Sequence, residues 1–458
     1  MQVPLTYCLI LLIALVLVAL LRRPWLIGVW VISLLVFPTA FARIGQAPVY
    51  LYDGITVLVF ISFWMGGDRS WPSSLPRWHW WFIGSAFVLS VVGGMLRYGA
   101  APEIVWIWGH ASLAWLAFSF AAVICTSKSH DQHCGALRAG ILISSVVLCS
   151  IALIQYTDLP GADFLTRLFY DDLGRAGIAD ILQHAEVNRA LGPHSSPPGL
   201  AGIALLSLLA FWVLDSEGTP VARWIVLLTS SVTILCTVSR HAMLAAVIGL
   251  IVALVFTESR KRMRLLAVSG LVVLVLVAVA GNSFFRDGWS RRMAKTEEGI
   301  LEDDNIAARV VWGPVRLAQF VARSPVVLLT GAGLDPEKLE ARSKIDSAFE
   351  SGFVSNGFLL ALYYMGVFGF VLHAAFWFWT LRTANARLGD TRAVAVASIV
   401  TACILVFSDN YGFMYKPAVA LLFLIAGLVA GRQYHSEDEL LEVEESASAD
   451  SMEHEHAA

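Results

Sequence analysis

The chain has 458 residues, of which 57% are hydrophobic and 15% are charged, and its mean hydropathy is +0.70. An ordinary soluble domain has roughly 25% charged residues, so this composition is typical of a polytopic membrane protein. The formal net charge of -3 provides no basic excess to bind a phosphate backbone, which excludes nucleic-acid binding.

Apolar runs long enough to cross a bilayer recur along the chain. A hydrocarbon core of roughly 30 Å needs about 20 apolar residues per helix. The runs predict an all-α polytopic membrane protein with about 13 transmembrane helices, in a range of about 12 to 14. The predicted spans are 3–21, 24–41, 49–66, 79–96, 103–125, 137–156, 198–215, 221–238, 240–257, 264–282, 353–379, 392–408 and 416–431.

The spans and the long connections between them divide the chain into six segments. These are N-terminal transmembrane helices over 1–156, a first long loop over 157–197, central transmembrane helices over 198–282, a large loop over 283–352, C-terminal transmembrane helices over 353–431 and a disordered acidic tail over 432–458. In the large loop, apolar residues at Val310, Val311, Val315, Leu317, Phe320 and Val321 predict an amphipathic helix on the membrane surface.

Lys and Arg are distributed unevenly between the two alternating sets of short loops. One set holds Arg22, Arg23, Arg69, Arg77, Lys128, Arg138, Arg223, Arg260, Lys261, Arg262, Arg264, Arg382, Arg387, Arg392 and Arg432, whereas the other holds only Arg43, Arg97, Arg240 and Lys416. Short loops rich in basic residues stay in the cytoplasm. Both long loops are therefore predicted to lie outside, and the acidic tail inside.

Three arginines fall at the predicted outer surface. Arg189 precedes a span in NRALGPHSSPPGLA, Arg240 lies in a tight turn between two spans in TVSRHAM, and Arg309 lies in the large loop in NIAARVVWGP. A guanidinium stays charged and matches phosphate oxygens with paired hydrogen bonds. The trio predicts a cluster that binds a lipid-linked diphosphate as a leaving group, although each arginine alone could anchor a helix end at lipid headgroups.

Candidate general bases accompany these arginines. His194 and His241 carry imidazoles that titrate near neutrality, although a histidine at an interface is more often only hydrogen-bonded. At the mouth of a predicted span, Asp346, Ser355 and Asn356 suggest either a substrate cavity or a helix N-cap and solvated loop end. The acidic run over 302–304 is interpreted as solvated, so we predict no metal site and no cofactor.

Four stretches resemble the O-antigen ligase and polymerase superfamily of bacterial polysaccharide assembly. They are RALGPHSSPPGLA, SRHAMLAAVIGLIVAL, ARVVWGPVRLAQFVARSPVVLLTGAGL and SNGFLLALYYMGVFG, in the family's order. The resemblance implies a glycosyltransferase of the bacterial inner membrane that uses undecaprenyl-diphosphate-linked glycans at the periplasmic face, without a metal or nucleotide sugar. It also implies Arg189, Arg240 and Arg309 as the diphosphate-side arginines, and membrane lipids, a chain-length regulator and a flippase as partners.

One departure from the family pattern separates two activities. Ligases of this family resemble one another in a His-Asn pair ahead of the Gly-x-x-Gly span, where this chain has Ser355-Asn356. Asp346-Ser347 looks more like a polymerase loop. We therefore expect polymerisation of repeat units, with ligation to an acceptor as the alternative. A membrane transporter is a further alternative, but the sequence shows no convincing internal repeat, and the spans are nearly free of the ionisable residues that transporters often carry.

Overall fold

The computed structural model describes residues 13, 24–37, 40–44, 47–65, 77–99, 113–126, 129–162, 164–165, 189–194, 196–214, 220–257, 314–315, 318, 322, 325–331, 356–387, 389–408 and 417–431. Its main elements are α1 (Trp25–Val36), β1 (Ala40–Ile44), β2 (Ala47–Tyr50), α2 (Leu51–Met65), α3 (Arg77–Tyr98), α4 (Ala117–Thr126), α5 (His130–Tyr156), α6 (Pro197–Leu214), α7 (Pro220–Thr237), α8 (Arg240–Phe256), α9 (Val326–Thr330), α10 (Gly357–Ala386), α11 (Gly389–Ser408) and α12 (Pro417–Gly431).

Every main helix except α9 coincides with a predicted span. Helices α5, α6, α7 and α10, and the stretch Thr391–Ser408 of α11, are long and apolar enough to cross a membrane, and the other coinciding helices contain shorter apolar stretches. The all-α membrane class is therefore confirmed. The number of 13 spans stays a prediction, because 3–21 (apart from residue 13) and 264–282 lie outside the described residues.

The second predicted span was wrong at its C-terminal end. Helix α1 stops at Val36, and Phe37 takes φ -122 and ψ 53. The next residue is Pro38, and a residue before proline is sterically disfavoured in the helical region. The chain then forms an antiparallel ribbon of β1 and β2, in which Ile44 pairs with Ala47. Hydropathy alone does not distinguish this apolar ribbon from a helix end.

Helix α12 forms the centre of the bundle, and all of its residues are buried. The ring of Phe423 stacks on Phe376 at 4.8 Å and on Phe82 at 6.2 Å, which joins α12 to α10 and α3. A Cβ at Gly427 would collide with the carbonyl of Phe118, so α12 also packs closely on α4. Small residues permit such approach between membrane helices.

The periphery is apolar where a soluble protein would be polar. Helix α8 exposes Leu244, Val247, Ile251 and Val255, which lie on one face at helical spacing. Phe368, Val371 and Phe378 are likewise exposed on α10. An exposed apolar surface of this extent is typical of contact with lipid, which agrees with the membrane class.

Helix α9 ends at a junction of three glycines. A Cβ at Gly331 would overlap the carbonyl of Tyr364, one at Gly366 would overlap that of Leu329, and one at Gly93 would overlap that of Thr330. Gly366 interrupts α10 with φ 68 and ψ -171, a conformation essentially restricted to glycine. The backbone that leaves the large loop therefore packs directly against α3 and α10.

Candidate functional site

The helix ends separate into two groups of mutual contacts. One group joins the end of α5, at Gln155, to the segment around Arg189 and the end of α7, at Thr237. The start of α8 at Arg240 belongs to the same end, which we call the outer end. At the other, inner end, the turn between α10 and α11 contacts the last residues of α8 and α12. This grouping agrees with the predicted alternation of loops. The assignment of the outer end to the outside of the cell still rests on the basic residues.

A short segment, 189–194, is held between two helices at the outer end. The backbone N–H of Ala190 donates to the Cys236 carbonyl of α7 at 2.9 Å. The N–H groups of Leu191 and Gly192 both donate to Oε1 of Gln155, at 3.1 and 2.8 Å. Residues 190–194 are all buried, so the backbone that follows Arg189 is packed inside the protein.

Arg189 is half-buried, and its guanidinium points to the end of α7. Its Nε donates to the carbonyl oxygen of Thr237 at 2.9 Å. That carbonyl belongs to the C-terminus of a helix, where the partial negative charge of the helix dipole favours a cation. The bond uses the Nε hydrogen, whereas paired binding of phosphate oxygens can use the edge formed by the two Nη groups.

Arg240 lies three residues beyond Thr237 and begins α8. The turn that accepts the hydrogen bond of Arg189 therefore leads directly into α8 at Arg240, so two of the three arginines predicted as a cluster lie at the same end of the bundle. The third, Arg309, lies outside the described residues.

The turn that joins α7 and α8 contains a strained residue. Val238 has φ 51 and is 1% exposed. A β-branched side chain at positive φ is a steric outlier, whereas the other non-glycine residue with positive φ in the described part is an aspartate, Asp158, which tolerates this conformation better. Strain of this kind persists only where the surroundings enforce it, and it clusters at functional sites.

The two predicted histidines are placed differently. His194 is 1% exposed and hydrogen-bonds to the backbone of Leu35 in α1. Burial lowers the pKa of His194 to about 3, so its imidazole is neutral at physiological pH. His241 is half-buried beside Arg240, and its Nδ1 shares a hydrogen bond with Oγ of Ser239 at 3.1 Å. Of the two, His241 is the better placed to meet a substrate.

Asn356 is the N-cap of α10. Its Oδ1 accepts from the N–H groups of Phe358 and Leu359, at 3.0 and 3.2 Å. This is the capping arrangement that the sequence left open beside a substrate role. Ser355, Asp346 and the acidic run over 302–304 lie outside the described residues. Within the described part, no three His, Cys, Asp or Glu residues come together as metal ligands.

Sequence reasoning missed Gln155 and Thr237. Gln155 is the last strongly polar side chain of an otherwise apolar span, and a polar group in a membrane helix is a signal that could have identified it. Thr237 contributes a backbone carbonyl, which leaves no trace in the sequence. Neither its contact with Arg189 nor the strain at Val238 could be read from residue types.

One comparison with known proteins gives a match. Residues 225–374 match a family model described as O-antigen ligase. The matched range contains Arg240, His241 and Asn356 and excludes Arg189. No curated protein matches the chain.

Proposed function

We propose that this chain is a member of the O-antigen ligase/polymerase superfamily, since residues 225–374 match a family model described as O-antigen ligase, and that it polymerises undecaprenyl-diphosphate-linked oligosaccharide repeat units at the periplasmic face of the bacterial inner membrane. The observation that carries the proposal is that Arg189 hydrogen-bonds to Thr237, three residues before Arg240, at the outer end. A chain-length regulator and a flippase are the protein partners that we propose for this activity.

In the proposed reaction the growing glycan is the donor. A hydroxyl oxygen of the incoming repeat unit attacks the anomeric carbon, and the bond from that carbon to the diphosphate oxygen breaks on the opposite side. The lipid diphosphate leaves with the electron pair. Arg189 and Arg240 would offset the charge that develops on it, because guanidinium groups form short, charge-assisted hydrogen bonds to phosphate oxygens.

We assign the proton of the attacking hydroxyl to His241. In the tautomer in which Nδ1–H of His241 donates to Oγ of Ser239, Nε2 carries the lone pair that would take the proton. His194 would have a packing role, since it is buried against α1. Asp346 stays the alternative base from the large loop. No metal ion is needed in this scheme, because the arginines supply the positive charge.

Polymerisation is favoured over ligation by the residues at the start of α10. Ser355 stands where ligases of this family carry a histidine, and the side-chain oxygen of Asn356 is used to cap the helix. Transfer of the finished glycan to a separate acceptor is the second candidate, since the family model itself is described as O-antigen ligase.

The surface glycan of a deletion strain separates the two candidates. We expect a polymerase mutant to lose the long chains and to keep single repeat units attached to the surface. Loss of all attached glycan, with long chains accumulating on the lipid carrier, would instead identify a ligase. An unchanged glycan profile would contradict both candidates.

A reaction with purified protein tests the proposed chemistry directly. The protein, supplied with lipid-diphosphate-linked repeat units and excess EDTA, should still build longer chains without a nucleotide sugar. Loss of elongation in EDTA that Mg²⁺ or Mn²⁺ restores would refute the metal-free mechanism and direct attention to 302–304 as ligands.

A further inference from the structure

We propose that Gln155 is a positioning residue for the lipid diphosphate, acting through Arg189. The inference rests on the proposed function for the identity of the ligand. Gln155 lies in the last turn of α5, and its side chain contacts the segment that carries Arg189. It is not expected to touch the substrate.

The two hydrogen bonds to Gln155 depend on the shape of the segment. Gly192 has φ +57, and the N–H groups of Leu191 and Gly192 both point at Oε1 of Gln155. Successive N–H groups in such a turn form a concavity that binds an oxygen atom. Here the amide oxygen of Gln155 occupies that concavity, so the turn and α5 are joined at one point.

The opposite side of the segment is held by α7. Ala190 donates to the Cys236 carbonyl, and Arg189 donates to the Thr237 carbonyl. The position of Arg189 therefore depends on contacts with two helices. Helix α7 binds its side chain, and Gln155 of α5 binds the backbone at Leu191 and Gly192. Removing the amide oxygen would leave the contacts with α7 in place and let the guanidinium move relative to Arg240.

A shift of this kind should weaken binding more than it weakens the chemical step. Paired contacts of a guanidinium with phosphate oxygens depend on the position and angle of the fork. A displacement of about 1 Å in a group that positions the substrate can lower the reaction rate by about 100-fold. We expect a smaller loss, of about 10-fold in affinity, because Arg240 and the α7 contacts remain.

The test compares Gln155→Met with a matched control at the same helix end. Methionine keeps the length of the side chain and removes the hydrogen-bonding oxygen. The control is Thr157→Val, because Oγ of Thr157 bonds only locally, to carbonyls of α5 itself, in the contacts that the structure shows. Gln155→Asn is a second variant for the case in which Gln155→Met is not stably produced in the membrane. It keeps the amide group but shortens the side chain by one methylene.

Three measurements are made on full-length protein in lipid nanodiscs. They are the Kd for undecaprenyl diphosphate, kcat and KM with a lipid-linked repeat unit, and amide hydrogen exchange over 190–194. Gln155→Met should raise both Kd and KM about 10-fold with kcat changed less than about threefold, and should speed exchange in that segment. Gln155→Glu keeps an acceptor oxygen and should restore slow exchange. Thr157→Val should match wild type.

The outcomes separate the inference from the proposed function. Wild-type protein that binds undecaprenyl diphosphate without transferring glycan would refute the proposed function, and the Kd values would still decide the role of Gln155. An unchanged Kd or unchanged exchange in both Gln155→Met and Gln155→Asn would overturn the inference, as would an equal loss in Thr157→Val. Wild-type protein that does not bind undecaprenyl diphosphate would overturn both.

Discussion

The two ends of the bundle differ in how their backbones are built. Among the described residues, those with positive φ lie in or next to loops of the outer end in the predicted topology, except Gly366, which lies within α10. The described residues with positive φ are Gly99, Asp158, Gly161, Gly192, Val238, Gly331 and Gly366. Irregular backbone at membrane depth is tolerated where it is buried in protein or lines a cavity. The difference therefore directs the search for a functional site to the outer end.

Arginines at the two ends show the same contrast in their side chains. Arg387 is 8% exposed, and its Nη2 donates to the carbonyls of Leu428 and Val429 at the C-terminus of α12. Arg189 also caps a helix C-terminus, but it does so through Nε and is half-buried. Capping uses an Nη group of Arg387, whereas the Nη edge of Arg189 is not required for its contact with Thr237. The two arginines thus cap helix C-termini through different nitrogens of the guanidinium.

Topology labelling tests the largest expected difference between the ends. A cysteine introduced near residue 300 should react with an impermeant thiol reagent in intact cells, and one at Asn385 should not, in a background that lacks the native cysteines. The basis is the excess of basic residues in one set of short loops. Labelling at 385 alone would reverse the assignment of the two ends.

Substitution of Arg240 should have the largest effect on activity. Arg240→Ala is expected to reduce polymer formation by about 100-fold or more, and Arg240→Lys to recover part of it, since a point charge lacks the paired donors. The matched control is Arg392→Ala. In the wild type the guanidinium of Arg392, in α11, lies 5.1 Å from the ring centroid of Phe256, which is at the inner end of α8. Equal loss in the control, or full activity in the alanine variant, would remove Arg240 from the mechanism.

Arg387→Ala should affect stability and leave the activity of the folded protein unchanged. The variant loses the hydrogen bonds to two buried carbonyls, and a bond from a charged donor contributes about 1.5 to 3 kcal/mol. We expect the free energy of unfolding to fall by about 3 kcal/mol. Arg382→Ala, at an exposed position in α10, the helix that Arg387 follows, should change the free energy of unfolding by less than about 0.5 kcal/mol. Thermal unfolding in detergent gives the comparison, and similar losses in both would contradict the capping role.

Two glycine substitutions give the smallest effects, with opposite signs. Gly192→Ala places a side chain at φ +57 and within 2.8 Å of a Leu200 methyl, so we expect a loss of about 1 to 2 kcal/mol. Gly135 lies near the inner end, within α5, where a Cβ would meet nothing within 4 Å. Gly135→Ala should therefore stabilise by about 0.5 to 1 kcal/mol. Equal changes in the free energy of unfolding for the two variants would indicate that the positive φ at Gly192 does not disfavour a side chain.

The spans could be predicted from the sequence because bilayer thickness sets the length of an apolar run. Helices α6, α7 and α8 begin and end within one residue of their predicted limits. The ribbon of β1 and β2 was missed, since its residues continue the apolar character of α1. Pro38 was the available signal for the end of that helix.

The candidate site was predictable only in part. Arg189 and Arg240 were identified because charges beside membrane spans are rare. Their shared turn was not predictable, since it depends on contacts across 48 residues with a main-chain oxygen of Thr237. The burial of His194 against α1 was equally invisible, because a sequence does not show which loop is covered by which helix.

The buried position of α12 has a consequence for the biosynthesis of the protein. This helix fills the centre of the bundle, yet every other described helix precedes it in the chain. At translation speeds of about 5 to 20 residues per second, the earlier helices wait many seconds in the bilayer before the residues around Phe423 are inserted. Until then Phe82 of α3 and Phe376 of α10 lack their stacking partner Phe423. The packing around Phe423 can therefore be completed only after this central helix has left the ribosome.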